Sequence, residues 1–375
     1  MQGKASLMDK IIGHDIYARW LFSLFFLTLL LLVVGGLTRL NQSGLSIVEW
    51  HMVMDILPPI NEKDWQSLFL LYQTTEQYKE VAEFFSLDNF KKIFWWEYSH
   101  RLLARLLGFI LIGGLIIMAI NGFWRKISQR QILALVSLLL LGGTQAWVGK
   151  WMVESGLFVA NAVAPLNLVV HFFIAIVILF ILYAMMAGYR GQKFFYRPWH
   201  GLLSFILLTT LCLGSLTAGA KAGYAYGTWP LMGDGFIPID YWWQGHHGDY
   251  QLENSTGDHH HQDNIMAQKL GFWHNAILNP SAIQFHHRLF AYFSFFIIYM
   301  YFFAMWREAK KNISRDKTSL SKSILLVMAV TLQLILGIML VVNTIPLKLA
   351  MLHQWVGIVT MLIAFSTWFR YQDSK

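Results

Sequence analysis

The sequence predicts an all-α integral membrane protein in which eight transmembrane helices form two tandem pseudo-symmetric four-helix bundles. Three observations lead to this prediction. Hydrophobic residues make up 56% of the 375 residues and charged residues only 13%, whereas soluble domains have about 25% charged residues. The chain also contains eight long apolar runs, and its two halves resemble each other.

Each apolar run is long enough to cross a bilayer as a helix, which takes about 20 residues. Of the connections between the runs, Asn41–Trp95 and Lys221–Gln284 are long, and the helical spacing around Trp65–Tyr72 predicts a helix on the membrane surface. The eight predicted spans are Trp20–Thr38, Trp96–Ile120, Ile132–Trp151, Ala162–Tyr189, Leu202–Ala220, Phe285–Trp306, Ile324–Val342 and Leu349–Phe369.

The net charge of +8 orients the chain in the lipid bilayer and does not indicate a nucleic-acid partner. Basic residues occur before the first span and in every second connection, which is the positive-inside pattern with both termini cytoplasmic. The first 19 residues do not fit a cleaved signal peptide, so we expect a bacterial inner (plasma) membrane. The basic residues at these places are Lys4, Lys10, Arg19, Arg125, Lys126, Arg130, Arg190, Lys193, Arg197, Arg307, Lys310, Lys311, Arg315, Lys317 and Lys322.

The two halves of the chain match in three pairs of segments. These pairs are "GGLTRLNQSGL" (35–45) with "GSLTAGAKAGY" (214–224), "EYSHRLLARLLGF" (97–109) with "QFHHRLFAYFSFF" (284–296), and "LNLVVHFFIAI" (166–176) with "LKLAMLHQWVGI" (347–358). Each half holds four spans, so both enter the membrane from the same side and are related by an axis along the membrane normal. The predicted domains are residues 1–192 and 193–375.

Four histidines occupy related positions inside the predicted spans. His100 and His171 lie in the first half, and His287 and His353 lie in the second. A single histidine in a span is explained as well by a hydrogen bond between helices. Two pairs of imidazoles inside four-helix bundles instead favour axial ligation of haem iron. Cys212 is the only cysteine, so cysteine-based metal sites are excluded.

Four arginines near the outer ends of the spans are candidate contacts for haem propionates. A simpler alternative is that their side chains reach from the helix ends to the membrane surface. The four are Arg39, Arg101, Arg105 and Arg288.

Six segments together resemble the haem A synthase family, in its proteobacterial and mitochondrial branch. They are "GGLTRLNQSGLSIVEW", "FKKIFWWEYSHRLLARLLG", "VGKWMVESGL", "TWPLMGDGFIP", "QFHHRLFAY" and "LHQWVG", and the resemblance runs from Gly35 to about Gly357. It implies an eight-helix, haem-dependent oxidoreductase that converts haem O to haem A by oxidising a ring methyl group to a formyl group, for cytochrome oxidase assembly.

The resemblance also implies roles for individual residues. It assigns His287 and His353 to a haem b cofactor, and His100 and His171 to the substrate haem O. It places a functionally required acid at Glu97. The first domain would then be the substrate haem half, and the second the haem b half.

The chain departs from the family pattern at two places. Asn167 stands where the family usually has Arg, so one propionate contact would be supplied differently. Residues 245–263 look like an insertion rich in histidine. A solvated loop explains this insertion better than a metal site does.

The residues themselves indicate that the two halves have different functions. Glu97 precedes His100 by three residues, so both project from one face of a helix. The corresponding residue before His287 is Gln284. A carboxylate at membrane depth is a functional candidate, and proton transfer requires such a group. The alternative is that Glu97 only pairs with a neighbouring arginine, Arg101 or Arg105.

No nicotinamide or flavin motif is present, so the electrons are expected from another protein or from a quinol. Further expected partners are the enzyme that makes haem O and, as a candidate, a second copy of the chain. A di-haem cytochrome b-type electron-transfer protein would also explain four histidines, but it does not need the Glu97/Gln284 difference. A transporter would explain the repeat, but not histidine pairs near one face of the membrane.

Overall fold

The computed structural model describes residues 5–49, 56–81, 85–125, 127–159, 164–244, 268–269, 271–311 and 317–371. These residues are nearly all helical, with two short 3-10 helices, Phe123–Arg125 and Ala222–Tyr224. The α-helices are α1 Ala5–Leu40, α2 Glu62–Gln73, α3 Glu76–Val81, α4 Leu87–Ile120, α5 Gln129–Val159, α6 Pro165–Tyr189, α7 Pro198–Gly219, α8 Phe272–Leu278, α9 Pro280–Lys311, α10 Lys317–Val342 and α11 Leu347–Thr367. The strands are β1 Gln192–Phe194, β2 Trp243–Gln244, β3 Gln268–Lys269 and β4 Phe369–Tyr371.

Within the described residues, eight helices are long and apolar enough to cross a membrane: α1, α4, α5, α6, α7, α9, α10 and α11. The predicted multi-pass, all-α class and the number of spans are therefore confirmed. Most of these helices extend beyond the predicted spans. The predicted start of the fourth span, Ala162, lies outside the described residues.

The difference from the predicted spans that affects the candidate site is the start of α4, which begins at Leu87 instead of Trp96. Ser86 caps the helix, because its side chain accepts a hydrogen bond from the backbone N–H of Asn89. Glu97 and His100 consequently lie well inside a continuous helix. They were predicted at the edge of a span.

The first turns of α4 pack against α2, which confirms the helix predicted around Trp65–Tyr72. The rings of Trp65 and Phe94 meet edge to face, with centroids 4.9 Å apart, and Phe90 is fully buried between these helices. Burial raises the pKa of Tyr72 to about 12, and the nearby charge of Glu97 adds to this effect. Tyr72 therefore remains a neutral phenol at physiological pH.

The chain forms two compact units, Met1–Gly201 with Leu362–Lys375, and Leu202–Met361. In the first unit α1 packs against α4 and α6, and α5 packs against α6. The strands β1 and β4 also pair antiparallel there. In the second unit α9 packs against α8 and α10. The domain boundary between residues 192 and 193 stays a prediction.

The turn that ends α1 recurs at the end of α7. Gln42 and Lys221, which the matching segments of the two halves pair with each other, have positive φ angles of 54° and 52°. The backbone N–H of Gln42 donates to the carbonyl of Arg39, and that of Lys221 donates to the carbonyl of Ala218. A positive φ is uncommon for residues other than glycine. The two connections therefore begin with the same unusual geometry.

Candidate functional site

The second histidine pair lies between α9 and α11. The ring centroids of His287 and His353 are 6.4 Å apart, and the ring planes are nearly perpendicular, at 85°. A metal ion about 2 Å from one nitrogen of each imidazole requires ring centroids roughly 6 Å apart. The observed separation therefore fits two imidazoles that could hold one metal ion between them.

All four predicted ligands have the same unsatisfied atom. Each histidine is half-buried, and its Nδ1 atom is buried without a hydrogen-bond partner among the residues that the structure describes. Buried polar atoms of this kind are rare in folded proteins, and a bound ion is one of their ordinary causes. The residues with this feature are His100, His171, His287 and His353.

Glycines contact the histidine rings in the first unit. A Cβ atom added to Gly35, on α1, would lie 3.0 Å from Cε1 of His100. A Cβ added to Gly149, on α5, would lie 3.3 Å from Cε1 of His171. Each ring is thus fixed by a close helix contact that a side chain would disturb.

The second unit repeats these contacts. A Cβ added to Gly214, on α7, would lie 3.0 Å from Cε1 of His287. A Cβ added to Gly337, on α10, would lie 3.1 Å from Cε1 of His353. Both units therefore present two imidazoles, each against a glycine of a neighbouring helix.

Glu97 lies in the first unit and is only 3% exposed. Three groups donate hydrogen bonds to its carboxylate. Its Oε2 accepts a bond from the hydroxyl of Ser46 (2.7 Å) and another from the backbone N–H of Ile47 (2.9 Å). Its Oε1 forms an ion pair with Arg101 at 2.5 Å. The arginine pair expected as the alternative role of Glu97 is therefore present.

Arg101 also joins α4 to the connection that follows α1. Its Nη2 donates to the backbone carbonyl of Ile47 (2.8 Å) and its Nη1 to that of Glu49 (3.0 Å). The side chain of Arg101 is 12% exposed. Glu97 and Arg101 together attach residues 46–49 to the helix that carries His100.

Gln284 and Arg288 form the same attachment in the second unit. Oε1 of Gln284 accepts from the backbone N–H of Tyr226 (3.0 Å), and its Nε2 donates to the carbonyls of Gly223 (2.9 Å) and Tyr226 (3.0 Å). Arg288 donates to the carbonyls of Tyr226 (3.0 Å) and Thr228 (2.9 Å). The neutral amide thus holds its connection through backbone bonds alone.

Comparison with known proteins decides the family. The family model of COX15-CtaA, described as cytochrome oxidase assembly protein, matches residues 18–365. The chain belongs to this family. Proteins named haem A synthase from Brucella anthropi and Brucella ovis are 30% and 32% identical to the chain over 354 and 356 residues. Each alignment covers 93% of this chain and 90% of the relative.

In this member of the COX15-CtaA family, the predicted propionate contacts have partners within the protein. Arg101 and Arg288 bond the connections that follow α1 and α7, as described above. Arg39 in the last turn of α1 and Arg105 in α4 are partly buried and are not free of partners. A contact of any of the four with a propionate stays a prediction.

Asn167, which stands at the usual arginine position of the family, is buried. Its side-chain amide donates to the hydroxyl of Ser155 (3.0 Å). This bond joins the first turn of α6 to α5. Among the residues that the structure describes, no group of three or more His, Cys, Asp or Glu side chains could hold a metal ion. Residues 246–261 with their histidines lie outside that part.

Two glutamines beside the histidines were not predicted from the sequence. Nε2 of Gln145, on α5, donates to the backbone carbonyl of His171 (3.0 Å). Nε2 of Gln333, on α10, lies 3.2 Å from Nε2 of His353. Each glutamine precedes by four residues the glycine that contacts the same histidine. Alignment of α5 with α10 on this Gln-x-x-x-Gly spacing would have identified both.

Proposed function

We propose that this chain is a haem A synthase, an integral membrane oxidoreductase that converts haem O to haem A for cytochrome oxidase assembly. The observation that carries the proposal is the similarity to proteins named haem A synthase over 93% of the chain. The site supports it, because each unit has a histidine pair suited to haem iron, and Glu97 stands three residues before His100 where Gln284 stands three residues before His287. An electron-transfer cytochrome has no need for that carboxylate.

The two haem groups are assigned to different halves. His287 and His353 hold a resident haem b, and His100 and His171 hold the substrate haem O. The ring separation of 6.4 Å supports the pair of His287 and His353, and the unpartnered Nδ1 atoms support both pairs. When bound, the haem b cofactor supplies electron transfer, while the protein supplies position and protons.

Conversion of a methyl to a formyl group removes four electrons from one carbon. Two hydroxylations of that carbon, each of which consumes one dioxygen, two electrons and two protons and releases one water, give a diol, and loss of water from the diol gives the formyl group. Glu97 is the group that takes up and releases protons beside the substrate pair, at Oε2. Its other oxygen, Oε1, is held by Arg101. The burial of Glu97 limits access of bulk water to the carboxyl group.

The tandem arrangement is part of the same proposal. The repeated turn after α1 and α7, the repeated glycine contacts and the repeated attachment of the outer connections support two related four-helix bundles. The pattern of basic residues supports a bacterial inner membrane with both termini cytoplasmic. The electrons come from a protein or a quinol, and haem O comes from the enzyme that makes it.

The experiment that tests this function is expression in bacterial membranes that contain haem O but no other haem A synthase. Extraction and chromatography should detect haem A, and the purified protein should carry haem b, because the second histidine pair retains it. Membranes from cells with the empty vector are the control. Haem b in the protein without any haem A in the membrane would instead favour an electron-transfer cytochrome.

Gly214→Ala should weaken the binding of haem b. The added Cβ would lie 3.0 Å from the ring of His287, so the ring must move. Overpacking costs about 1–3 kcal/mol, which corresponds to roughly 5- to 150-fold weaker binding. Titration of the purified protein with haem, followed by absorption spectroscopy, measures the affinity.

Gly113→Ala is the matched control, because nothing lies within 4 Å of the added Cβ. This variant should bind haem b as the unmodified protein does. Equal affinities for the Gly214→Ala and Gly113→Ala proteins would contradict the assignment of His287.

A further inference from the structure

The three hydrogen-bond partners of Glu97 differ in whether they can accept a hydrogen bond as well as donate one. The guanidinium of Arg101 and the backbone N–H of Ile47 only donate. The hydroxyl of Ser46, 2.7 Å from Oε2, can donate or accept, because its proton rotates about the C–O bond. Ser46 is itself 2% exposed. It is therefore the only one of these three partners that can respond when Glu97 gains a proton.

A protonated Glu97 needs a group that accepts a hydrogen bond from its O–H. Arg101 and the N–H of Ile47 cannot accept one. On Oε1 the proton would face the guanidinium of Arg101, which already donates to that oxygen. On Oε2 it would face the N–H of Ile47 and the hydroxyl of Ser46. Rotation of the hydroxyl allows Ser46 to accept the bond from a protonated Oε2. Without this acceptor, a buried O–H would remain unpaired, which is unfavourable.

The second unit indicates that this hydroxyl is not needed for the shape of the connection. Ala225 takes the position of Ser46 there. The backbone N–H of Ser46 donates to the carbonyl of Ser43 (3.2 Å), and that of Ala225 donates to the carbonyl of Ala222 (3.1 Å). Alanine thus supports the same turn. The hydroxyl occurs in the unit that has the carboxylate, and it is absent beside Gln284.

We propose that Ser46 is a positioning residue for Glu97: its hydroxyl donates to the carboxylate and accepts from the protonated carboxyl group. Glu97 can then change its protonation state while it remains buried and attached to Arg101. The inference rests on the acid–base role proposed for Glu97. It extends that role, because it identifies the partner that can hydrogen-bond both the ionised and the protonated carboxyl group.

The test compares four variants of the full-length membrane protein: Ser46→Ala, Ser46→Thr, Glu97→Gln and the double variant Ser46→Ala/Glu97→Gln. Haem O conversion per bound haem and haem content are measured for each. Ser46→Ala should lower kcat roughly 5- to 150-fold, as expected for one unpaired buried donor, with KM and haem content little changed. Ser46→Thr keeps the hydroxyl and should recover most of the activity.

The double variant separates the proposed role from a structural one. If Ser46 acts through Glu97, Ser46→Ala should cause no further loss in the Glu97→Gln background. Ser67→Ala is the matched control, because the hydroxyl of Ser67 bonds only its own helix, at the carbonyl of Lys63, and is exposed. This control should keep full activity.

Three results would overturn the inference: normal kcat for Ser46→Ala, an additive loss in the double variant, or a loss of bound haem that accounts for the lost activity. The acid–base role of Glu97 is judged separately. Full turnover by Glu97→Gln would reject that role and this inference with it. A strong loss in Glu97→Gln together with normal Ser46→Ala would reject only the role of Ser46.

Discussion

Glu97→Gln is expected to lower the conversion of haem O by roughly two to four orders of magnitude, which is typical for loss of an acid–base group. Haem binding should persist, because His100 and His171 are unchanged. The fold should persist as well. Gln284 makes backbone bonds to Tyr226 in the second unit, and a glutamine at position 97 can make the same bonds to Ile47.

Chromatography of the haems in membranes that contain the variant measures this effect, including any partly oxidised haem that accumulates. Glu76→Gln is a suitable control, since the side chain of Glu76 is 47% exposed and pairs with Lys79 on α3. If Glu97 only neutralises Arg101, the variant would instead lose bound haem or stability, with nearly normal turnover per bound haem. Near-normal production of haem A would reject the catalytic role.

His287→Ala and His353→Ala should each remove haem b from the purified protein. Loss of a hydrogen-bond partner of a metal ligand already costs roughly 10- to 100-fold in affinity, and loss of the ligand itself should cost more. His100→Ala and His171→Ala should leave haem b in place and impair binding of the substrate haem.

Absorption spectra and haem content of the purified variants distinguish these cases. His286→Ala is the matched control for His287→Ala. His286 is the adjacent residue, but its Nε2 lies 2.7 Å from the hydroxyl of Tyr241. This control should keep its haem b. A full complement of low-spin haem b in His287→Ala would show that the halves have been assigned wrongly.

The number of membrane helices could be predicted because soluble proteins rarely contain apolar runs of this length. Their ends could not be predicted equally well. The first turns of α4, Leu87–Trp96, contain lysines and aromatic residues, and this composition does not predict a membrane span. They are helical because Ser86 caps them and because Phe90 and Phe94 pack against α2. This tertiary contact has no signature in a hydropathy pattern.

The histidine pairs could be found because the two halves of the sequence repeat them. The surroundings of Glu97 could not, because Ser46 and Ile47 lie about fifty residues away from it in the chain. Arg101 was expected at a propionate or at the membrane surface, yet it bonds backbone carbonyls. Only the folded chain brings those carbonyls to α4.

The matched attachments of the connections after α1 and α7 have a consequence for evolution. Because a glutamine at position 284 holds its connection as a glutamate does at position 97, exchange of one for the other leaves the scaffold intact. Glutamate and glutamine codons differ by one nucleotide, and four of the six serine codons differ by one nucleotide from an alanine codon. After duplication of an ancestral gene, two point mutations would therefore suffice to introduce the proposed acid and its hydroxyl partner into one copy of the bundle.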